Sequence, residues 1–199
     1  VKEAVSSGAT RSSVLQISQY ITSYIPGMAG QTLDQSTALL VPMASAEEFT
    51  TQFTQSYNSR YGAVVETVEG VKLLDIDPGK ATNRTVITFV GEPEKVIEAA
   101  FLLIKKASEL IDMRKHTGEH PRFGATDVCP FVPVANTTME DCIACAKSLG
   151  ERVGNELNIP VYLYENAATK LDRKNLATVR SGEYEGIADK IVIPAWKPD

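Results

Sequence analysis

Both histidines of the chain lie in one short segment, Asp112–Arg122, which reads Asp-Met-Arg-Lys-His-Thr-Gly-Glu-His-Pro-Arg. His116 and His120 share it with three basic and two acidic side chains, the densest polar cluster in the sequence. Imidazole titrates near neutral pH, so a histidine in a loop whose path is set by Gly118 and Pro121 is suited to proton transfer. A solvated surface loop without a function fits the cluster as well, so the residues alone leave both interpretations open.

The same segment matches the short H-x-x-E-H pattern of one class of zinc peptidase. In that class both histidines stand one turn apart on a continuous helix, and a further protein ligand completes the metal site. Gly118 within the pattern and Pro121 directly after it disfavour such a helix, and the chain has no third histidine. We therefore predict no metal here.

A second short pattern, Cys142-Ile143-Ala144-Cys145, has the spacing of redox-active dithiols. It falls inside a predicted helix rather than in front of one. Buried cysteine behaves as a small hydrophobic side chain, so we interpret the two thiols as part of a packed helix face. An odd number of cysteines, three, in a chain of 199 residues favours a reducing compartment, and we predict a cytoplasmic protein.

The elements that must position the histidines follow a simple order. Turn residues at 78–83 separate two apolar, β-branched runs, which predicts two antiparallel neighbouring strands, and Pro93 begins a long helix. In chain order the predicted elements are a strand at 38–43, a helix at 45–57, strands at 71–77 and 84–91, a helix at 93–113 and a strand at 126–134. This β-α-β-β-α-β order is ferredoxin-like, so the predicted fold class is α/β (α+β), a mixed sheet with helices on one face.

Two parts of the chain lie outside this core. On the C-terminal side, further elements extend it: a helix at 137–157, a strand at 161–164 and a helix at 171–180. On the N-terminal side, apolar residues recur at helical spacing, at Val14, Ile17, Ile21 and Tyr24. We predict a helical or linker extension over residues 1–37 and a single domain over residues 38–199.

Composition limits the partners of the protein. The chain has 20 Lys and Arg against 25 Asp and Glu, a formal net charge of −5, and it lacks the basic cluster that nucleic-acid binding needs. Hydrophobic residues make up 43% of the chain, enough for a buried core, yet no stretch reaches the ~18 apolar residues of a membrane span. We predict neither a nucleic-acid partner nor membrane insertion. The charge balance still allows a small anionic substrate, provided that the folded chain has a local positive patch.

Four longer stretches resemble the N-terminal subdomain of glutamate formimidoyltransferase. They are Leu-Leu-Asp-Ile-Asp-Pro-Gly at 73–79, Thr-Asn-Arg-Thr-Val-Ile-Thr-Phe-Val-Gly at 82–91, Leu-Ile-Asp-Met-Arg-Lys-His-Thr-Gly-Glu-His-Pro-Arg-Phe-Gly-Ala-Thr-Asp-Val-Cys-Pro-Phe at 110–131 and Pro-Val-Tyr-Leu-Tyr at 160–164. The stretch around His120 is long and specific, and the resemblance extends from about Gly70 to Asp199. Such enzymes, also found fused to a cyclodeaminase, transfer a formimino group from N-formimino-L-glutamate to tetrahydrofolate in histidine breakdown.

The resemblance implies roles for particular residues. The family's catalytic histidine lies in the Glu-His-Pro-Arg stretch, so it implies that His120 is the general base and that Asp77 is its acidic partner. From the residues alone, a carboxylate at Asp77 more often caps the turn that follows it. The resemblance also implies tetrahydrofolate as co-substrate, formiminoglutamate as the second substrate, and no metal.

Residue chemistry, rather than the resemblance, suggests which side chains hold the substrates. We predict that Arg122, Lys115 and Arg84 bind carboxylates, because arginine in particular makes bidentate contacts with them. His116 either assists in substrate binding or hydrogen-bonds within the loop.

Two departures from the family pattern bear on activity. Where family members carry a Pro-Asn-Phe-Ser-Glu-Gly turn after the first strand, this chain has Pro-Met-Ala-Ser-Ala-Glu at 42–47. Family enzymes also have a second subdomain after the Trp-x-Pro-Asp found here at 196–199, with the substrate cleft between the two. We expect activity to need that subdomain or another chain, and an uncovered apolar face would favour a homo-oligomer. The alternative is a non-catalytic folate-binding or assembly module of the same fold.

Overall fold

The computed structural model describes residues 14–22, 60–79, 81–116 and 119–199. Its strands are β1 (Val14–Thr22), β2 (Val71–Gly79), β3 (Arg84–Gly91), β4 (Thr126–Val128) and β5 (Phe131–Ala135). Its α-helices are α1 (60–66), α2 (Pro93–Leu110), α3 (Met139–Leu157), α4 (Leu176–Arg180) and α5 (Ile187–Lys190). Strands and helices together confirm the predicted α/β class.

One sheet contains all five strands, in the order β2-β3-β1-β4, with β5 paired to the other end of β1. Every pairing in the described ranges is antiparallel. The neighbouring antiparallel strands predicted around the 78–83 turn are therefore confirmed as β2 and β3. The predicted ferredoxin-like order depends on the strand at 38–43 and the helix at 45–57, which lie outside the described residues.

The helix predicted from Val14 to Tyr24 is wrong, because Val14–Thr22 is the central strand β1. Ile17 and Ile21 are four residues apart, a spacing that fits one face of a helix and one face of a strand equally. Polar Gln16 and Ser18 alternate with apolar neighbours, which is the period of a strand. Pairing with β3, β4 and β5 decides between the two, so β1 belongs to the sheet of the domain. The predicted boundary at residues 37 and 38 lies outside the described residues and stays a prediction.

Helices α2 and α3 match their predicted positions. Pro93 opens α2 at its first turn. The N-cap of α3 is a reciprocal capping box between Thr138 and Asp141. Their buried faces join the sheet in one continuous cluster, which includes fully buried Ile87 and Phe89 of β3.

Three elements differ from prediction on the C-terminal side. The strand predicted at 126–134 is divided into β4 and β5, and the helix predicted at 171–180 is a short 3₁₀ helix (Leu171–Lys174) followed by α4. The strand predicted at 161–164 is wrong. Its backbone groups bond to Asp199 instead: the Asp199 amide donates to the Val161 carbonyl (3.0 Å), and the Leu163 amide donates to the Asp199 carboxylate (2.9 Å).

A buried arginine holds this C-terminal segment in place. Arg173 is fully buried and donates to the Asp199 carboxylate and to the Lys197 carbonyl, the latter at 2.6 Å. Its guanidinium also lies 5.0 Å from the centre of the Tyr162 ring, in a cation–π arrangement. The ion pair and the ring contact compensate the buried charge, and together they fix the end of the chain against residues 161–163.

The two faces of the sheet differ in chemistry. Residues alternate between faces along a strand, so Ile87 and Phe89 point to the helices while Arg84 and Val86 lie on the opposite face. Asp77 is paired directly with Val86 and lies on that opposite face too.

Within the described ranges, no helix is both long enough and apolar enough to cross a membrane.

We predict that Gly91→Ala destabilises the protein while Gly154→Ala stabilises it. A Cβ at residue 91 would stand 2.8 Å from the Gly70 carbonyl oxygen and 3.3 Å from the Val71 Cα, both backbone atoms that cannot rotate away. A Cβ at residue 154, inside α3, meets nothing within 4 Å.

The expected change in the free energy of unfolding is a loss of about 1–3 kcal/mol for Gly91→Ala and a gain of about 0.5–1 kcal/mol for Gly154→Ala. Urea unfolding followed by circular dichroism measures both. Equal effects from the two substitutions would contradict the predicted pairing of β2 and β3 at this end of the sheet.

Candidate functional site

The turn between β2 and β3 packs against the histidine-containing loop. The side chain of Asn83 lies 3.2 Å from His116, between Nδ2 and Nδ1, and both residues are buried. Two residues before Asn83, the Ala81 carbonyl accepts a hydrogen bond from the Glu119 amide at 3.4 Å. These contacts join segments more than 30 residues apart, so the sequence alone does not reveal them.

Asn83 is the site residue that sequence reasoning missed. Its backbone is left-handed, with φ at 48°, a conformation that asparagine tolerates better than most residues. Its side-chain NH₂ is a donor, so the neutral His116 ring accepts at Nδ1 and carries its proton on Nε2. The signal that could have identified it in the sequence is an asparagine within a turn, between Thr82 and Arg84. His116 therefore hydrogen-bonds within the site, which was one of the two alternatives for this residue.

His120 forms the second contact between the turn and the loop. Its Nε2 lies 2.7 Å from Nη1 of Arg84, and its Nδ1 lies 2.6 Å from the carbonyl oxygen of Pro121. A carbonyl can only accept and a guanidinium can only donate, so Nδ1 carries the proton and the Nε2 lone pair faces Arg84. His120 is thus held as a neutral imidazole with its basic nitrogen directed toward a cation.

Asp77 lies near this pair without touching the imidazole. Arg84 is paired with Gly79 in the ladder, so Asp77, two residues earlier on β2, is its diagonal neighbour on the same face. Diagonal neighbours are about 7–8 Å apart between Cα atoms. Asp77 is exposed, and within the described residues no hydrogen bond joins its carboxylate to His120. Its predicted role as acidic partner stays a prediction.

Arg122 connects the loop to a turn far along the chain. Its Nε donates to the His116 carbonyl at 3.0 Å, and its Nη2 lies 2.5 Å from the Glu185 carboxylate. Glu183 is a second acidic partner, at 3.4 Å, and the Tyr184 amide donates to the Arg122 carbonyl at 3.0 Å. The hydrogen bond from Arg122 lowers the pKa of Glu185. The guanidinium that the sequence assigned to substrate is therefore engaged by two carboxylates of this chain.

Lys115 lies at the start of the loop, in a 3₁₀ turn over Met113–Lys115. Its Nζ is 3.9 Å from the Asp112 carboxylate, which also accepts two hydrogen bonds from the Arg114 side chain. Those bonds lower the pKa of Asp112 to about 2. Lys115 is half-exposed and directed to Asp112 rather than to His120, so its carboxylate-binding role stays a prediction.

The zinc-peptidase pattern at 116–120 and the dithiol pattern at Cys142 and Cys145 can now be compared with the structure. The described residues on either side of 117–118 are not α-helical, whereas the zinc pattern needs a continuous helix. In the described ranges, no group of three or more His, Cys, Asp and Glu side chains is arranged to hold a metal ion. Cys142 and Cys145 are buried in the core face of α3, which confirms their interpretation as packing residues. Burial raises the pKa of the Cys145 thiol to about 11.

The fold and the site together define a class of protein. A neutral imidazole, fixed by a backbone carbonyl, directs its lone pair to a guanidinium on the face of the antiparallel sheet opposite the described helices. Such a pair can exchange protons with a substrate and can attract its anionic group. These two capabilities are what an enzyme acting on a small anionic molecule needs at its active site.

Comparison with known proteins identifies the family. Residues 54–199 match the model of the formiminotransferase domain, N-terminal subdomain. The chain is 53% identical over 135 residues to formimidoyltransferase-cyclodeaminase of Dictyostelium discoideum, a match that covers 68% of this chain and 25% of the relative. It is 50% identical over 137 residues to glutamate formimidoyltransferase of Streptococcus pyogenes serotype M1, covering 69% and 46%. The corresponding enzyme of Thermoplasma acidophilum is 50% identical over 143 residues, covering 71% and 47%.

The chain therefore belongs to the formiminotransferase family, an enzyme family of transferases, and corresponds to its N-terminal subdomain. It spans between a quarter and a half of the length of these relatives. The resemblance inferred from the four sequence stretches is confirmed.

We predict that Asn83→Gly costs about 1–3 kcal/mol of unfolding free energy, because it leaves the buried His116 ring without the donor that Asn83 supplies. Glycine adopts a positive φ without strain, so the loss reports on the hydrogen bond rather than on the backbone.

Asn158 provides the matched control. It also has a positive φ, at 55°, but it is exposed at the C-terminus of α3. Asn158→Gly should change stability by less than about 0.5 kcal/mol. Chemical unfolding measures both variants, and equal small effects would show that the Asn83–His116 contact contributes little.

Proposed function

We propose that this chain is the N-terminal half of a glutamate formimidoyltransferase site, which transfers the formimino group of N-formimino-L-glutamate to tetrahydrofolate. The observation that carries the proposal is the Arg84–His120 pair, because it combines a basic nitrogen with a carboxylate-binding cation. The names of the relatives, both glutamate formimidoyltransferases, support the same reaction class.

The chemistry requires two proton transfers. N5 of tetrahydrofolate attacks the formimino carbon, and the attacking nitrogen must lose its proton. The carbon–nitrogen bond to glutamate then breaks, and the departing amine must gain a proton. A single imidazole can do both in turn, and such acid–base catalysis contributes about 10²–10⁴-fold. In this proposal His120 Nε2 takes the first proton and returns it to the glutamate amine, while the hydrogen bond to Pro121 keeps the ring oriented.

The remaining site residues divide between substrate contact and support. We assign carboxylate binding to Arg84 and to Lys115, which is half-exposed at the edge of the loop. Asp77 stands on the same sheet face as Arg84 and would stabilise the protonated ring or the positive charge that develops on the attacking nitrogen. Arg122 holds the loop against the turn at Glu183 and Glu185, so its role in this proposal is to position His120.

The full reaction also requires groups outside this chain. The relatives are two to four times longer than the part that matches, so we propose that a second subdomain, in the same polypeptide or another chain, supplies the other wall of the cleft. Tetrahydrofolate acts as co-substrate, and the proposed compartment is the cytoplasm. We also propose that the chain forms a homo-oligomer that covers an apolar surface.

The test uses the wild-type chain and a His120→Ala variant, each supplied with the second subdomain. The stable analogue 5-formyltetrahydrofolate is titrated to measure binding, and formimino transfer is measured separately with tetrahydrofolate, whose N5 is free to react. We expect both proteins to bind the folate, and the variant to transfer more slowly by about 10²–10⁴-fold because the general base is lost. Arg152→Gln is the control. Arg152 lies on the surface of α3, paired with Glu98 and Glu156, on the helix side of the sheet.

Each result has a clear meaning. An unchanged rate in His120→Ala would contradict the assignment of the base. With the second subdomain present, folate binding without transfer by the wild-type protein would favour a folate-binding module, and absence of both binding and transfer would favour an assembly module.

A further inference from the structure

The orientation of the His120 ring depends on the backbone that follows it. His120 Nδ1 lies 2.6 Å from the Pro121 carbonyl oxygen, so that carbonyl decides which ring nitrogen carries the proton. The described residues from 119 to 125 form neither a helix nor a strand. Contacts with other groups of the chain must therefore hold the Pro121 carbonyl in place.

One peptide unit of this segment, between Arg122 and Phe123, has both of its polar groups hydrogen-bonded. The Arg122 carbonyl accepts from the Tyr184 amide at 3.0 Å, and the Phe123 amide donates to Oδ1 of Asp127 at 3.0 Å. The carbonyl and the amide lie in one plane and point in opposite directions, so the two bonds fix the orientation of that plane. Only the backbone dihedral angles of Arg122 separate it from the Pro121 carbonyl.

The carboxylate that accepts from Phe123 is itself firmly held. Asp127 lies in β4 with its side chain 2% exposed. Arg180, at the end of α4, donates to both carboxylate oxygens, from Nε to Oδ1 at 3.2 Å and from Nη2 to Oδ2. A bidentate arginine–carboxylate contact of this kind fixes the plane of the carboxylate as well as its distance. Asp127 therefore presents a fixed acceptor to the Phe123 amide.

We propose that Asp127 is a positioning residue for His120. Its carboxylate holds the Phe123 amide, which orients the following backbone and thereby the Pro121 carbonyl. That carbonyl keeps the proton of the neutral ring on Nδ1 and leaves Nε2 as the basic nitrogen. The consequence for catalysis rests on the function proposed above, whereas the effect on the tautomer of His120 does not.

A buried ion pair also stabilises a fold, and the two roles make different predictions. The Arg173–Asp199 pair is buried too, but its bonds hold the end of the chain and do not reach the histidine-containing loop. Asp127 differs because Oδ1 accepts from the Phe123 amide as well as from Arg180. Two substitutions that both break the ion pair should therefore differ in their effect on His120.

The first substitution is Asp127→Leu, which removes the acceptor of the Phe123 amide. Asp127 borders a cavity of about 710 Å³, so the leucine side chain has room. The matched control is Arg180→Gln, which removes the charge of the partner but leaves the Asp127 carboxylate to accept from Phe123. The glutamine amide can still donate to that carboxylate.

Asp127→Leu leaves the guanidinium of Arg180 without its carboxylate, and an unpaired charge in a mostly buried position destabilises a fold. The double variant Asp127→Leu/Arg180→Met is therefore measured beside it, because it removes both charges together. Urea unfolding gives the loss of stability of each variant, so that a change at His120 is separated from a general destabilisation.

Nitrogen-15 NMR of the imidazole rings, at a pH where they are neutral, gives the ratio of the Nδ1-protonated to the Nε2-protonated tautomer of His120. We expect this ratio to fall about tenfold in Asp127→Leu and in the double variant, the factor that corresponds to a hydrogen bond worth about 1.4 kcal/mol. In Arg180→Gln it should fall by no more than about twofold, because the acceptor of the Phe123 amide remains. His116, which is bonded to Asn83, should keep its tautomer in every variant.

Formimino transfer, measured with the second subdomain present, tests the consequence for catalysis. We expect Asp127→Leu to lower kcat while KM for formiminoglutamate stays within about twofold of the wild-type value, because Asp127 does not contact the residues assigned to carboxylate binding. Arg152→Gln, on the surface of α3, is the control.

Equal changes of the His120 tautomer ratio in Asp127→Leu and Arg180→Gln would overturn the positioning role and leave the ion pair as a stabilising contact only. An unchanged ratio in all variants would overturn it as well. The NMR measurement requires neither turnover nor a second subdomain. A wild-type protein that transfers nothing, but whose tautomer ratio responds as expected, would contradict the proposed function and support the positioning role.

Discussion

The hydrogen bond between Arg84 and His120 is the contact on which the rest of the site depends. Arg84 is fixed by the ladder of the sheet, whereas the described residues next to His120 form neither a helix nor a strand. Docking of the β2–β3 turn against that loop is what brings the two within 2.7 Å. A strand register therefore determines where the basic nitrogen stands, and a slip of one residue would move Arg84 to the helix-covered face.

The residues around the histidine-containing loop fix its position, and so the position of His120. Asn83 fixes His116 from one side, and Arg122 ties the His116 carbonyl to the acidic turn at 183–185 from the other. The contacts of Asn83 and Glu185 with this loop join segments distant in sequence, whereas the bond from Arg122 to the His116 carbonyl lies within the loop. Arg173 and Asp199 act in the same way at the end of the chain, where charge pairing and ring contacts replace a strand partner.

Sequence patterns predicted those parts of the structure that depend on interactions between residues close together in the chain. The two histidines, the β2–β3 pair and the Pro93 helix all follow from residue types and spacing. The strand Val14–Thr22 could not be predicted in this way, because isoleucines four residues apart fit a helix and a strand alike. Only the pairing with three other strands decides between helix and strand. Residues 161–164 are strand-like in composition, but their partner is Asp199 rather than a strand. The partners of Arg122 are 61 and 63 residues away, beyond any local pattern.

The site holds its two histidines in opposite tautomers, and nitrogen-15 NMR of the imidazole rings measures this directly. At a pH where both rings are neutral, the account predicts that His120 carries its proton on Nδ1, facing the Pro121 carbonyl, and His116 carries its proton on Nε2, away from Asn83. Arg84→Gln should move the Nε2 resonance of His120 and leave that of His116 in place. A His120 ring protonated on Nε2 would contradict the account, because Arg84 could not then donate to it.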